Sequence, residues 1–192
     1  MKKEAYDLLY LDPNTHHGQF NRVPNITKSF EYGTFSHGSY HLDTLLDFNP
    51  ESWLDVGCGY NTLIRDVREK YVKDSWGIDF SCPAADQICN VLDLPFPDKR
   101  WDLVTAFDVL EHIYPNDIDK ALQEMRRVSN RFAFTICFKK AQLEHNGVNA
   151  HATVMSRLDW HKKIDDNGGD VYDIESGETP PRMREFFAGD WR

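Results

Sequence analysis

The chain has 192 residues, of which 41% are hydrophobic and 28% are charged, the composition of a single globular domain. Its formal net charge of −9 disfavours general binding to nucleic-acid phosphates. The N-terminus lacks the apolar stretch of a signal peptide, and the densest apolar run, FAFTICF at 132–138, is too short to span a bilayer. The sequence therefore predicts a cytoplasmic protein.

Four cysteines show no CxxC spacing, and we expect them to be free thiols of a reducing compartment: Cys58, Cys82, Cys89 and Cys137. Residues 1–38 read as irregular and are rich in His, Asn, Gly and aromatic side chains. A short helix follows, with Leu42, Leu45 and Leu46 on one face. We expect residues 1–49 to form an N-terminal segment before a core at 50–192, within one compact domain.

Strand and helix patterns alternate through the core. Strands are predicted at 53–56, 75–80, 87–91, 102–107, 131–138 and 170–175, and it is left open whether the tail RMREFFAGDWR supplies part of a seventh. Helices are predicted at 61–71, after an N-cap at Asn116, and from a capping box at Ser156 and Asp159 to about Asp166. Met155 and Trp160 are placed as a hydrophobic staple at the start of that last helix.

This alternation predicts an α/β fold with one Rossmann-like, doubly wound and mostly parallel sheet of six to seven strands, covered by helices on both faces. Ligands of such sheets bind at the carboxyl ends of the strands. The segment GCGYN follows the first strand, where two glycines permit a tight turn and close approach of a ligand. About twenty residues later the second strand ends in Asp79, an acid suited to ribose hydroxyls. Together these features indicate an adenosine-type ligand.

Four stretches are more specific: LDVGCG, GIDFS, LPFPDKRWDLVTAFDVLEHI, and the helix ALQEMRRV leading into a strand. From Trp53 to Phe138 they resemble class I S-adenosylmethionine (SAM)-dependent methyltransferases, in particular the branch of ubiquinone/menaquinone-biosynthesis C-methyltransferases. The third glycine of a GxGxxG dinucleotide motif is absent. The resemblance implies SAM as cofactor, S-adenosylhomocysteine as product and methyl transfer to a small molecule at O, N or C.

The resemblance also implies site residues. Asp55 helps to hold the methionine amino group, Asp79 binds the ribose and Phe80 packs on the adenine. The remaining cofactor-binding positions it implies are Gly57, Cys58, Gly59, Asn90, Val91, Phe107 and Asp108. Asn61 stands where a third glycine is frequent and Asn90 where an acid is usual. Only ten residues separate Asp79 from Asn90, so a short turn is expected in place of the usual helix.

The general base is left open among several histidines. The candidates are His112 after the fourth strand, His37 and His41 in the N-terminal segment, and His145 and His151 after the fifth strand. His37 and His41 are four residues apart, but a third ligand is lacking, and no metal site is expected. Residues 10–40, which mix aromatic rings with polar groups, are predicted to form a lid over the methyl end of the cofactor. Packing at the sheet edge is the alternative.

Three readings of function follow. The first is a methyltransferase acting on a small molecule, without a membrane span and with its oligomeric state open. The second is a non-catalytic SAM-binding module that acts through a partner protein. The third is an RNA or protein methyltransferase recruited by a basic patch at Arg126, Arg127, Arg131, Lys139 and Lys140.

Overall fold

The computed structural model describes residues 36–141, 147–172 and 184–192, together with the backbone of 144–145. Its strands are β1 (Ser52–Val56), β2 (Asp74–Asp79), β3 (Gln87–Ile88), β4 (Trp101–Phe107), β5 (Ser129–Cys137), β6 (Glu144–His145), β7 (Val148–Asn149), β8 (Gly169–Val171) and β9 (Arg184–Trp191). Its α-helices are α1 (Leu42–Asp47), α2 (Thr62–Lys70), α3 (Ile118–Val128) and α4 (Arg157–Asp166). Short 3-10 turns span His37–His41, Leu110–His112 and Pro115–Asp117.

Seven strands form one sheet in the order β3-β2-β1-β4-β5-β9-β8, and β6 and β7 make a separate small hairpin. The first five strands run parallel, while β9 is antiparallel to both β5 and β8. The expected Rossmann-like α/β fold is confirmed. The tail, left open by the sequence, forms a full strand that pairs with β5 from Arg131 to Cys137.

Both faces of the sheet are buried, because alternate side chains of the central strands enter two hydrophobic clusters. In β4, Val104 and Ala106 join the cluster that contains Leu122 of α3 and Trp160 of α4. Leu103 lies on the other side with residues of α1 and α2. Period-two alternation between two apolar layers explains why the β4 and β5 sequences are apolar throughout.

Most predicted elements are confirmed within a residue or two at their ends. The capping box at Ser156 and Asp159 is present, and Gly168 ends α4 at a φ of 92°. Leu45 is fully buried in the short N-terminal helix. The cysteines are free, and three of the four are buried.

Three predictions of elements need correction. Asn116 does not cap α3; it lies inside a 3-10 turn, and the cap residue is Asp117, which makes no side-chain capping bond. The third strand is Gln87–Ile88 rather than 87–91, because only Ile78 and Asp79 of β2 are opposite it. The sixth strand covers Gly169–Val171, and residues 173–175 of the prediction lie outside the described residues.

The segment between β2 and β3 forms turns, as its length predicted. Asp86 fixes this segment: its carboxylate accepts from the Gly77 N–H at 2.8 Å and from Asn61 Nδ2 at 3.0 Å, and it pairs with Arg68 of α2. Asn61 has a left-handed φ of 62°, which asparagine tolerates, so the turn survives without the third glycine. The segment between β2 and β3 is therefore held in place by polar side chains instead of by a packed helix.

Candidate active site

The turn after β1, which contains Gly57 and Gly59, contacts the end of β2. Gly57 and Gly59 adopt φ values of 73° and 54°, a region that favours glycine. The N–H groups of Gly57 and Cys58 both donate to the Ile78 carbonyl, at 2.8 and 3.0 Å. This arrangement places the start of α2 directly beside the end of β2.

Asp79 lies at the centre of this turn. One carboxylate oxygen accepts from the Gly59 N–H at 3.0 Å, and the other accepts from the N–H groups of Ser81 and Cys82 at 2.9 and 2.8 Å. Gly59 and Asp79, which are twenty residues apart in the sequence, are thus joined by a hydrogen bond to this carboxylate. A carboxylate has about four acceptor positions, so Asp79 keeps capacity for a hydroxyl donor.

Asp55 is almost completely buried, with 2% of its surface exposed. Its Oδ1 accepts from Thr105 Oγ1 at 2.6 Å, and Trp53 Nε1 in turn donates to Thr105 Oγ1 at 2.8 Å. Burial, followed by the nearby negative charge of Asp79, raises the pKa of Asp55 to about 7, although the Thr105 bond acts in the opposite direction. A cation bound beside Asp55 would be stabilised by this carboxylate and would lower its pKa.

The expected adenine side of the pocket is more open. Phe80 is 36% exposed, and Asn90 is exposed with its Oδ1 accepting from the Leu92 N–H at 3.0 Å. Val91 packs against the core cluster, and Cys58 is buried. The roles of these four residues stay predictions that follow from the resemblance.

The N-terminal turn lies against the end of β4. A Cβ atom on Gly38 would come within 2.2 Å of the Phe107 ring, so glycine allows this close approach. His37 Nδ1 is 2.6 Å from Asp108 Oδ2, and Arg184 from the start of β9 contacts both side chains. His41 stacks on Phe186 with ring centroids 4.0 Å apart. Residues 10–35 of the predicted lid lie outside the described residues.

His37, Asp108 and Arg184 form a second group, and Asp108 is in contact with both of the other residues. It has a left-handed φ of 56°, and its carboxylate accepts from Thr135 Oγ1 at 3.1 Å and from Arg184 Nε at 3.1 Å. Burial acts to raise the pKa of Asp108, but the hydrogen bond from His37 and the positive charge of Arg184 outweigh it, so the pKa is lowered. Arg184 NH1 lies 2.7 Å from His37 Nε2, which indicates that the imidazole proton is on Nδ1 and is donated to Asp108.

Three of the five candidate bases, His37, His41 and His112, differ in environment. Burial and the neighbouring His37 lower the pKa of His41, which packs as an aromatic ring. Burial and the neighbouring His151 lower the pKa of His112 to about 4, and its Nδ1 faces the Ala150 carbonyl at 3.0 Å. Of the three, His37 alone is paired with a carboxylate that orients its ring.

Sequence reasoning missed Glu111, Thr105 and Arg184. Glu111 is fully buried, its Oε1 accepts from the Cys137 N–H at 2.9 Å, and burial, with Asp108 nearby, raises its pKa to about 8. An acid inside the apolar run VLEHI was the available signal. Nothing in the sequence marked Arg184, because its partners are 76 and 147 residues away.

Comparison with known proteins agrees with this geometry. Residues 54–134 match the family model described as a methyltransferase domain. The chain is 34% identical over 102 residues to a ubiquinone/menaquinone biosynthesis C-methyltransferase of Xanthomonas campestris, covering 53% of this chain and 32% of the relative. It is 33% identical over 97 residues to ajmaline N-methyltransferase of Rauvolfia serpentina, covering 42% of this chain and 33% of the relative. The chain thus spans about a third of the length of these curated relatives.

Solved structures share the fold. Magnesium protoporphyrin IX methyltransferase of Synechocystis with bound S-adenosylhomocysteine superposes with a TM-score of 0.71 at 14% identity over the full length of both chains. A SAM-dependent methyltransferase of Clostridium acetobutylicum gives a TM-score of 0.63 at 13% identity, covering 80% of this chain and 90% of that one.

Residues 54–134 therefore resemble a methyltransferase domain, and the chain shares the fold of solved methyltransferases that hold S-adenosylhomocysteine or SAM. The residues at the strand ends fit this group. Asp79 keeps an acceptor position for a ribose hydroxyl, and the buried Asp55 carboxylate suits an ammonium group. Within the described part of the chain, no helix is long and apolar enough to cross a membrane.

Proposed function

We propose that this protein transfers the methyl group of SAM to a small-molecule acceptor at O, N or C. The observation that carries the proposal is that two residue groups lie at the carboxyl ends of the neighbouring parallel strands β1, β2 and β4. The first is the Asp55, Gly59 and Asp79 group after β1 and β2, and the second is the His37 and Asp108 pair after β4. The first suits a cofactor, and the second suits a proton acceptor beside it.

When bound, SAM supplies an activated methyl group on a sulfonium. The residues of the chain then have two tasks, to hold the reactants in line and to accept a proton where the acceptor has one to lose. Asp55, Gly59 and Asp79 are assigned to cofactor binding. Asp108 orients the His37 ring, and His37 Nε2 accepts the proton after Arg184 has moved away from it.

The small-molecule assignment is supported by charge and by relatives. The net charge of −9 works against a nucleic-acid substrate. The names of the matched relatives give acceptors at nitrogen in ajmaline, at carbon in ubiquinone and menaquinone biosynthesis, and at oxygen for a tocopherol enzyme of rice. The docking of residues 36–41 on Phe107 and Asp108 supports a lid formed by the N-terminal segment.

Two experiments test the proposal. Calorimetry with SAM and with S-adenosylhomocysteine should show binding of both, with the product at least as tight. Incubation of the protein with methyl-labelled SAM and a small-molecule extract should give a labelled product by mass spectrometry. Binding without any transferred label would favour the non-catalytic module, and absence of binding to both ligands would reject the proposal.

A further inference from the structure

A second group of side chains lies beyond the residues assigned to the cofactor. Glu111 and His112 belong to the 3-10 turn after β4, and His151 follows the β6–β7 hairpin. One ligand atom from each of these three residues lies within 4.8 Å of the other two. We propose that Glu111, His112 and His151 form a binding site for a divalent transition-metal ion, with Zn²⁺ as the preferred ion.

The turn after β4 and the loop after the hairpin are joined by one backbone and one side-chain hydrogen bond from Thr153. The Thr153 N–H donates to the Glu111 carbonyl at 2.9 Å, and Thr153 Oγ1 donates to the Ile113 carbonyl at 2.6 Å. The two imidazole rings meet edge to face, with centroids 4.8 Å apart. Three candidate ligands from two distant segments are thus held together by the fold.

The Glu111 carboxylate gives independent support. The residue has no exposed surface, and Oε1 accepts from the Cys137 N–H. In the described part of the chain, Oε2 is buried and has no hydrogen-bond partner. An unpaired buried carboxylate oxygen is costly, and a metal ion in the group would satisfy it.

The histidines are arranged as metal ligands usually are. His112 Nδ1 donates to the Ala150 carbonyl at 3.0 Å, and His151 Nδ1 donates to the Lys139 carbonyl. A proton held on Nδ1 leaves Nε2 unprotonated, which is the state in which imidazole coordinates a metal. Metal-binding histidines commonly use their second nitrogen in this way, which fixes the ring orientation.

Two imidazole nitrogens and one carboxylate oxygen select the ion. This set suits Zn²⁺ and other divalent transition ions, whereas Mg²⁺ and Ca²⁺ prefer oxygen ligands only. Bonds of about 2.0–2.2 Å in a tetrahedral site place ligand atoms roughly 3.4 Å apart. The ligand atoms lie at most 4.8 Å apart, so closure on an ion requires only small shifts of these side chains. Three protein ligands leave a fourth position open.

The test uses the full chain without an affinity tag, freed of metal by a chelator. Calorimetry with Zn²⁺ should show one site, and Co²⁺ should give the visible absorption of a nitrogen-coordinated ion. A hundredfold excess of Mg²⁺ should not displace either ion. His151→Ala and Glu111→Gln should each weaken Zn²⁺ binding by roughly 100-fold or more, exceeding the 10–100-fold loss typical of outer-shell partners.

His161→Ala is the matched control, because His161 is an exposed histidine of α4 outside the group. It should bind Zn²⁺ like the unaltered chain. Circular dichroism establishes that each variant is folded. If Glu111→Gln does not fold, the Zn²⁺ affinity of His151→Ala, whose substitution lies on a half-buried loop, tests the proposal. Absence of stoichiometric Zn²⁺ and Co²⁺ binding, or equal binding by His151→Ala and His161→Ala, would overturn the proposal. None of these readouts depends on methyl transfer.

Discussion

The two ends of the site are built in different ways. On the cofactor side, Gly59 and Asp79 are twenty residues apart and meet through backbone N–H groups. On the side of the proposed acceptor, Arg184 reaches Asp108 across 76 residues and His37 across 147, mostly through side chains. The proposed cofactor residues thus lie within one contiguous β-α-β stretch, whereas the proposed acceptor side depends on contacts between segments that are far apart in the sequence.

The largest expected effect is on the acceptor side. His37→Ala should lower the rate of methyl transfer by roughly 10²–10⁴-fold, the usual contribution of a general base. Its affinity for S-adenosylhomocysteine should change far less than the rate, because the proposed cofactor residues Asp55, Gly59 and Asp79 are bonded to other partners. Transfer from labelled SAM to the reactive fraction of the extract measures the rate, and calorimetry measures the affinity.

His37→Asn is the control for this prediction, because an amide can still donate to Asp108 without acting as a base. Both variants should lose the same activity if His37 accepts the proton. Recovery of the rate by His37→Asn would assign a structural role to His37 and would leave His112 and His41 as the candidates.

On the cofactor side, Asp79→Ala should weaken S-adenosylhomocysteine binding by roughly 1.5–3 kcal/mol, the size of a lost charged hydrogen bond. Asp79→Asn keeps an acceptor for the Gly59 N–H and should lose less. Asp66→Ala, which removes an exposed carboxylate of α2, should leave affinity unchanged. Calorimetry on the three variants checks the order, and an unaltered affinity of Asp79→Ala would show that the ribose assignment is wrong.

The contrast between contacts within one stretch and contacts between distant segments explains which features the sequence could predict. The alternation of strands and helices, the glycine turn and Asp79 are local patterns; the alternation predicted the fold, and the other two carry the proposed cofactor edge. The pairing of His37 with Asp108 and Arg184 follows from β9 lying beside β5, which no local pattern specifies. Glu111 was hidden for another reason, since an acid next to Leu110 in an apolar run gives no periodicity that marks its burial.

One pair of motifs is intermediate between local sequence patterns and contacts that only the fold reveals. The stretch LPFPD and the helix ALQEMRRV are separated in the sequence but joined in the fold. Arg127 donates to the Leu94 and Phe96 carbonyls at 2.8 and 2.7 Å, and Glu124 accepts from the Leu94 N–H at 2.9 Å. The bonds from Arg127, aided by the Leu94 N–H against the effect of burial, lower the pKa of Glu124 to about 2. The two motifs therefore form one unit that holds the loop before β4.

A smaller effect is expected at the short turn between β2 and β3. Asp86→Ala should lower the free energy of unfolding by about 1–3 kcal/mol, because the Gly77 N–H and Arg68 lose their acceptor. Burial acts to raise the pKa of Asp86, but bonds from Arg68, Gly77 and Asn61 lower it, so its contribution holds at neutral pH and is lost in acid. Urea denaturation at pH 7 and pH 3 measures this difference. A loss that is equal at both pH values would contradict the assignment.

The smallest effect concerns stability and cofactor binding at Asp55. Its folded-state pKa of about 7 lies above the ordinary aspartate value of 3.8, so between these values the folded chain holds a proton that the unfolded chain releases. Stability from this group is therefore present at low pH and is lost as pH rises towards 7.

Asp55→Asn removes the buried charge, and its amide oxygen can still accept from Thr105. We expect its melting temperature to exceed that of the unaltered chain at pH 8 by roughly 2–4 °C, equivalent to about 1 kcal/mol for a chain of this size, with a smaller difference at pH 5. Affinity for S-adenosylhomocysteine should fall, because an ammonium group loses its carboxylate partner. The exposed-site variant Asp66→Asn should change neither quantity. A variant that melts lower at pH 8, or that gains equally at pH 5, would show that the buried charge does not oppose folding and that the two ends of the site differ less than their contacts indicate.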